Sequence, residues 1–211
     1  MVKIAPSILA ADPLNLERDV RRAVEAGCDW IHVDVMDAHF VQNLAYTPAT
    51  VRRLRETFDI PLDVHLMMDH PETLLEAFLK AGADRVTVHA EAADPGEMIR
   101  RIHAYGRCAG IALKPGTPAK EAGPFLDTAE LILAMTVEPG FGGQQLDIRV
   151  IDKIRELREA GYTGEIEADG GIREDNLKKL TDRGLTVAVM GTALFRCEDM
   201  KEAICRMHRL G

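Results

Sequence analysis

Apolar, β-branched runs recur along the whole chain: KIAPSI, WIHVDVM, PLDVHLM, RVTVHA, CAGIAL, LILAMTV, GEIEAD and VAVMG, starting at residues 3, 30, 61, 85, 108, 131, 164 and 187. Each has the length and residue types of a buried strand. Segments of helical period lie between them, such as the face Leu14, Leu16, Val20, Ala23 and Val24. Ahead of it, Asp12 and Pro13 offer an N-cap and a first-turn proline. Four helices are expected to end on a left-handed glycine: Gly27, Gly82, Gly161 and Gly184. Strict alternation of strand and helix implies a parallel sheet. Eight units in 211 residues predict one α/β domain over residues 1–211, a closed (β/α)8 TIM barrel at the compact end of its size range. An open doubly wound sheet is the alternative, but no G-x-G-x-x-G follows the first run.

Polar residues break the apolar pattern in step. In a strand, residues two apart share a face. That groups His32, Asp34 and Met36 in the second run and Asp63, His65 and Met67 in the third. In the seventh it groups Glu165, Glu167 and Asp169. A closed barrel turns these faces inward, with reactive groups at the carboxyl ends of the strands. His32, Asp34, His65 and Asp169 would then surround one point. Two imidazoles and two carboxylates suit one divalent cation, Zn²⁺ first, with Fe²⁺, Mn²⁺ and Co²⁺ open. An ionic network without a metal is the competing arrangement. Met36, Met67 and Met135 would either cap that site or fill core space.

Glycine-rich turns follow the last three runs: EPGFGGQ (138–144), DGG (169–171) and GTALF (191–195). Turns after the seventh and eighth strands form the usual phosphate pocket of such barrels, where glycines admit close approach of an anion. Thr192 adds a hydroxyl donor.

Composition narrows the function classes. A formal charge of −8 argues against non-specific nucleic-acid binding, which needs a basic surface. Cys28, Cys108, Cys197 and Cys205 show no C-x-x-C spacing and read as reduced thiols rather than a disulfide framework or zinc knuckle. No signal peptide or membrane-spanning stretch is expected, and the expectation is a reduced, soluble, cytoplasmic protein.

The segments KIAPSILAAD, HVDVMDAHF, LDVHLM, MTVEPGFGGQ, EADGGI and GTALF together resemble the ribulose-phosphate 3-epimerase family, in register over nearly the whole chain. The resemblance implies a ribulose-phosphate binding barrel, one bound divalent metal, and interconversion of D-ribulose 5-phosphate and D-xylulose 5-phosphate. Carried over by position, the metal ligands would be His32, Asp34, His65 and Asp169, with Asp34 and Asp169 as the proton-transfer pair. Ser7 and His65 would contact substrate. Gly140, Phe141, Gly142, Gly143, Gly170, Gly171, Gly191 and Thr192 would wall the phosphate end. The implied partner is a small ketose phosphate, with a homo-oligomer left open and no nucleic acid or membrane.

Ala38 stands where the family usually has glycine, Gln42 where it has proline, and AYTP (45–48) where TIGP is typical. Ala168 replaces a valine and Thr192 a common serine. The first three departures cluster after the second run, so an epimerase of another ketose phosphate, such as D-allulose 6-phosphate, stays open. A decarboxylase built on D-x-K-x-x-D is disfavoured, because 63–69 reads DVHLMMD without the lysine. A non-catalytic sugar-phosphate binder would have no use for opposed carboxylates. Asp37 and His39 are expected to hydrogen-bond near the site and Asp63 to orient a ligand. His89 should line the barrel, His70 and His103 should lie on the surface, and Lys114 should be solvated or near the rim.

Overall fold

The computed structural model describes residues 1–92 and 94–211. In chain order the elements are β1 (Lys3–Pro6), α1 (Leu16–Glu25), β2 (Ile31–Asp37), β3 (Leu44–Ala45), α2 (Pro48–Thr57), β4 (Leu62–Met67) and α3 (Leu75–Ala81). There follow β5 (Arg85–His89), α4 (Pro95–Ala104), β6 (Cys108–Leu113), β7 (Leu131–Met135), α5 (Asp152–Glu159), β8 (Glu165–Asp169), α6 (Glu174–Thr181), β9 (Val187–Met190), α7 (Thr192–Phe195) and α8 (Met200–His208). Every apolar run of the sequence became a strand. They assemble into one curled, nine-stranded sheet, ordered β1-β9-β8-β7-β6-β5-β4-β2-β3 and parallel except for β3.

Three expectations need correction. The sheet has nine strands rather than eight, because the chain leaving β2 turns back through Ala38 and lays Leu44 and Ala45 antiparallel to Asp37 and Met36. The sheet is not closed by a continuous ladder: β1 and β2 meet through a single bridge between Ser7 and His32. The cause is local. Lys3 and Ser7 aim their N–H groups at β9, which leaves Ile4 and Pro6 to face β2. Ile4 N–H donates instead to the Asp29 carboxylate at 2.7 Å, and proline has no N–H. Asp29 N–H returns a bond to Ile4 O at 3.0 Å.

Finally, β6 is followed by a 3-10 helix at Ala119–Phe125 rather than an α-helix, since Gly123 and Pro124 interrupt α-helical bonding. The start of α1 also differs: Asp12 accepts from Leu14 N–H in a turn, Asn15 precedes the helix, and Leu14 is 91% exposed.

Burial follows strand parity. Val33, Val35, Leu62, Val64 and Leu66 pack outward into the large core shared with the helices. Ala5, Trp30, Leu131, Leu133, Met135, Val187 and Val189 form a separate inner cluster. The Arg85 guanidinium lies 3.8 Å from the Trp30 ring centre and covers it, a cation–π contact. The inner face towards the carboxyl ends is where polar side chains are admitted.

Candidate active site

Register sets the depth of each polar group. His32 pairs with Asp63, Asp34 with His65, and Met36 with Met67 across β2 and β4. On the far side Glu167 pairs with Leu133 and Asp169 with Met135 across β8 and β7. The expected four residues therefore do converge. One ligand atom from each of His32, Asp34, His65 and Asp169 lies within 4.8 Å of the others.

The details favour a cation among them. His32 Nε2 and His65 Nδ1 are buried without a hydrogen-bond partner. They stand 3.5 Å and 3.8 Å from Asp34 Oδ1. Ligand bonds near 2.1 Å to a tetrahedral ion would place ligand atoms about 3.4 Å apart, so these separations are compatible with a cation held among them and long for direct hydrogen bonds. The opposite nitrogen of His32, Nδ1, donates to Asp63 Oδ2 at 2.7 Å, which leaves Nε2 as the free lone pair. Ser7 donates its hydroxyl to Asp34 Oδ2 at 2.6 Å and so holds that carboxylate with Oδ1 inward. A second trio, His32, Asp63 and Glu167, also lies within ligand reach, but its His32 nitrogen is already bonded to Asp63.

Charge is distributed unevenly. Burial works against ionisation of Asp34, yet the facing His32 and His65 hold its carboxyl far below the ordinary range. Burial likewise opposes charge on His32, but Asp34 and Asp63 outweigh it and raise its pKa well above normal. The surroundings that favour a proton on His32 favour a cation in its place. Burial, then the charge of Asp34, pushes Asp169 up to about 7. Burial and the neighbouring Asp63 raise Glu167 well above the usual carboxylate range. Two carboxylates on opposite strands thus have pKa values driven apart, the pattern expected of an acid–base pair.

Above them lies a cavity of 230 Å³. Ser7, Asp34, Asp169 and all three methionines, Met36, Met67 and Met135, line it. So do Gly140, Phe141, Gly142 and Gly143 on one side and Gly170, Gly171, Gly191 and Thr192 on another. His32 and His65 are fully buried and reach the site only through its floor. Gly171 has φ 64°, and a Cβ there would collide with the backbone N of Leu146, so glycine is required where the two turns touch. Ala38, Gln42 and residues 45–48 are not part of the lining.

Sequence reasoning missed two features. Among the described residues, Arg173, just past the DGG turn, is the one cationic side chain lining the cavity, and its guanidinium pairs with exposed Asp175 at 3.3 Å. A basic residue two positions beyond a glycine pair was the available signal. His89, read as barrel lining, contacts His65 directly at 2.9 Å between Nε2 atoms. Lys114 lies at the rim, its ammonium 3.7 Å from the Phe40 ring centre. Asp37 accepts from the backbone N–H groups of His39, Phe40 and Asp69, and so ties the β2 turn to the β4 turn.

Among known proteins, the family model described as the ribulose-phosphate 3 epimerase family matches residues 3–195. A chloroplastic ribulose-5-phosphate-3-epimerase of Arabidopsis thaliana is 43% identical over 95% of this chain and 74% of its own length. The ribulose-phosphate 3-epimerase of Bacillus subtilis is 41% identical over 97% of each chain. Among solved structures, KGPDC from Streptococcus mutans superposes with a TM-score of 0.74 at 16% identity, over 100% of this chain and 97% of that one. A 3-hexulose-6-phosphate synthase gives 0.72 at 19% identity, over 99% of each. At those identities the structural likeness establishes the fold alone.

Proposed function

The chain belongs to the ribulose-phosphate 3-epimerase family, and from that premise we propose that it interconverts D-ribulose 5-phosphate and D-xylulose 5-phosphate by moving the proton on carbon 3. The observation that carries this is the opposition of Asp34 on β2 and Asp169 on β8 across one cavity, with unequal proton affinities.

Inversion beside a ketone takes a proton from one face and returns one to the other. A lone base tends to return the proton to the face it came from; two carboxylates on opposite strands avoid that. One aspartate accepts the C3 proton, leaving a planar enediolate, and the other donates its own proton to the opposite face. Each direction of the reaction leaves the pair in the reverse protonation state, so the reverse reaction or exchange with solvent resets it. General acid–base transfer of this kind contributes about 10²–10⁴-fold. His32 Nε2, His65 Nδ1, Asp34 and Asp169 would hold the divalent ion, with Zn²⁺ best matched to two imidazoles and two carboxylates. When bound, that ion supplies Lewis-acid stabilisation of the negative charge developing on the ketone and adjacent hydroxyl oxygens. Ser7 fixes the rotamer of Asp34, and the three methionines exclude water from the reacting carbon.

The glycine turns 170–171 and 191–192 offer backbone approach to the phosphate, and Arg173 supplies a positive charge beside the lining carboxylates Asp34, Glu138 and Asp169. The departures at Ala38, Gln42 and 45–48 lie outside the lining, which supports the pentulose phosphates over a different ketose. Four free thiols fit a reducing compartment.

The test is incubation of a panel of ketose phosphates in D₂O, with and without chelator, followed by NMR at C3. Label uptake with inversion, fastest for the pentulose 5-phosphates and lost on chelation, is expected. Exchange confined to another ketose, or absent from all, would reject the assignment.

A further inference from the structure

Behind His65 a line of polar contacts that the reaction above does not use runs from the buried interior out to the surface. His65 Nε2 is 2.9 Å from His89 Nε2, with the two rings stacked at 4.9 Å between centres. His89 Nδ1 is 3.0 Å from Glu91 Oε2. Glu91 Oε1 accepts the Lys114 N–H at 2.9 Å and the Thr117 hydroxyl, both in the turn after β6. Both imidazoles are fully buried, and Phe40 packs 4.6 Å from His89.

A contact between two ring nitrogens holds one proton and therefore has a direction. The direction is set at the end that can only accept, a carboxylate already receiving two other donors. Glu91 places the His89 proton on Nδ1, so His89 Nε2 presents a lone pair. His65 must then carry its proton on Nε2, which leaves Nδ1 bare. That atom is the partnerless one, 3.8 Å from Asp34 Oδ1. The reverse direction would protonate Nδ1 and close that ligand position.

We propose that His89 and Glu91 are positioning residues that fix the tautomer of His65 and thereby keep its Nδ1 open to a cation. His32 is oriented by Asp63 directly; His65 is oriented by Glu91 through a second imidazole. The assignment rests on the cation site described under the proposed function. Partners of this kind typically change metal affinity 10–100-fold.

The test uses ¹⁵N-histidine NMR on cation-free protein together with Zn²⁺ affinity by chelator competition, so the tautomer is read separately from cation uptake. Wild type is expected to show His65 protonated at Nε2 alone. Glu91→Ala should mix the tautomers and weaken Zn²⁺ binding about 10–100-fold. Glu91→Gln, whose oxygen stays on the Lys114 N–H and whose NH2 then faces His89 Nδ1, should reverse the line, protonate His65 at Nδ1 and weaken binding at least as much. His65 protonated at Nδ1 in wild type, a Glu91→Ala affinity within twofold of wild type, or a Glu91→Gln that keeps the wild-type tautomer and affinity would each overturn the proposal.

Discussion

Asp34 and Asp169 share a cavity but not an environment, and their consequences can be separated experimentally. Asp34→Asn and Asp169→Asn should each lower turnover by at least about 10²–10⁴-fold while the far-ultraviolet circular dichroism stays that of the wild-type fold. Wild-type-like turnover in either variant would remove the two-carboxylate scheme. Asp169 also predicts a pH dependence. Its pKa, raised from 3.8 to about 7, means that the cation-free fold keeps a proton which the unfolded chain has released. Stability of the cation-free protein therefore falls as pH rises toward 7. Affinity for a divalent ion needs the Asp169 carboxylate and the His32 lone pair, both of which hold protons in the cation-free fold, so it should climb over the same interval by at least roughly tenfold per unit. Competition titrations from pH 5 to 8 would check this, and a flat profile would contradict it. These residues were legible in sequence because parity alone puts His32, Asp34, His65 and Asp169 on inner faces. Glu91 was not, since it lies beyond the end of β5, where no period tells which way a side chain points.

At the level of elements, the ends of helices carry a repeated device. Arg158 of α5 donates to the carbonyls of Tyr162, Gly164 and Gly184 at 2.8–3.1 Å, gathering the following turn and the next unit's terminal glycine. Arg55 of α2 does the same for Ile60 at 2.8 Å and reaches Gly82 and the Asp84 carboxylate. Replacing Arg158 by alanine should cost about 2–3 kcal/mol, because several half-buried carbonyls lose charged donors at once. Denaturant unfolding would measure it, and an unchanged midpoint would show that water substitutes freely. The glycines at the ends of these helices were readable in the chain, and Gly82 adopts φ 104° as the C-terminal cap of α3. The arginines that reach them were not, because each contact spans 26–27 residues. The 3-10 turn after β6 is a related case: Gly123 and Pro124 were visible, yet the strand count outweighed them.

For the whole molecule, the sheet order and strand starts were legible because eight buried runs leave few ways to pair. The incomplete seam between β1 and β2 was not, as it depends on which edge Pro6 presents. The buried polar centre gives the fold a global handle. A cation that binds only the folded state stabilises it by about 2.7 kcal/mol at a hundredfold excess over its dissociation constant. For a chain of this size that is a rise of about 5–10 °C in melting temperature. Calorimetry with and without Zn²⁺, at a pH above 7, should show it, and no shift would argue that the cluster is only an ionic network.

The seam itself has a further implication. Ser7 leaves one lip and His32 and Asp34 leave the other, and the Ser7 hydroxyl crosses between them. The curled sheet is therefore stapled at its weakest join by side chains of the candidate site. Breathing of the sheet and dismantling of the candidate site become one event, so any tenant of the cavity doubles as a clasp.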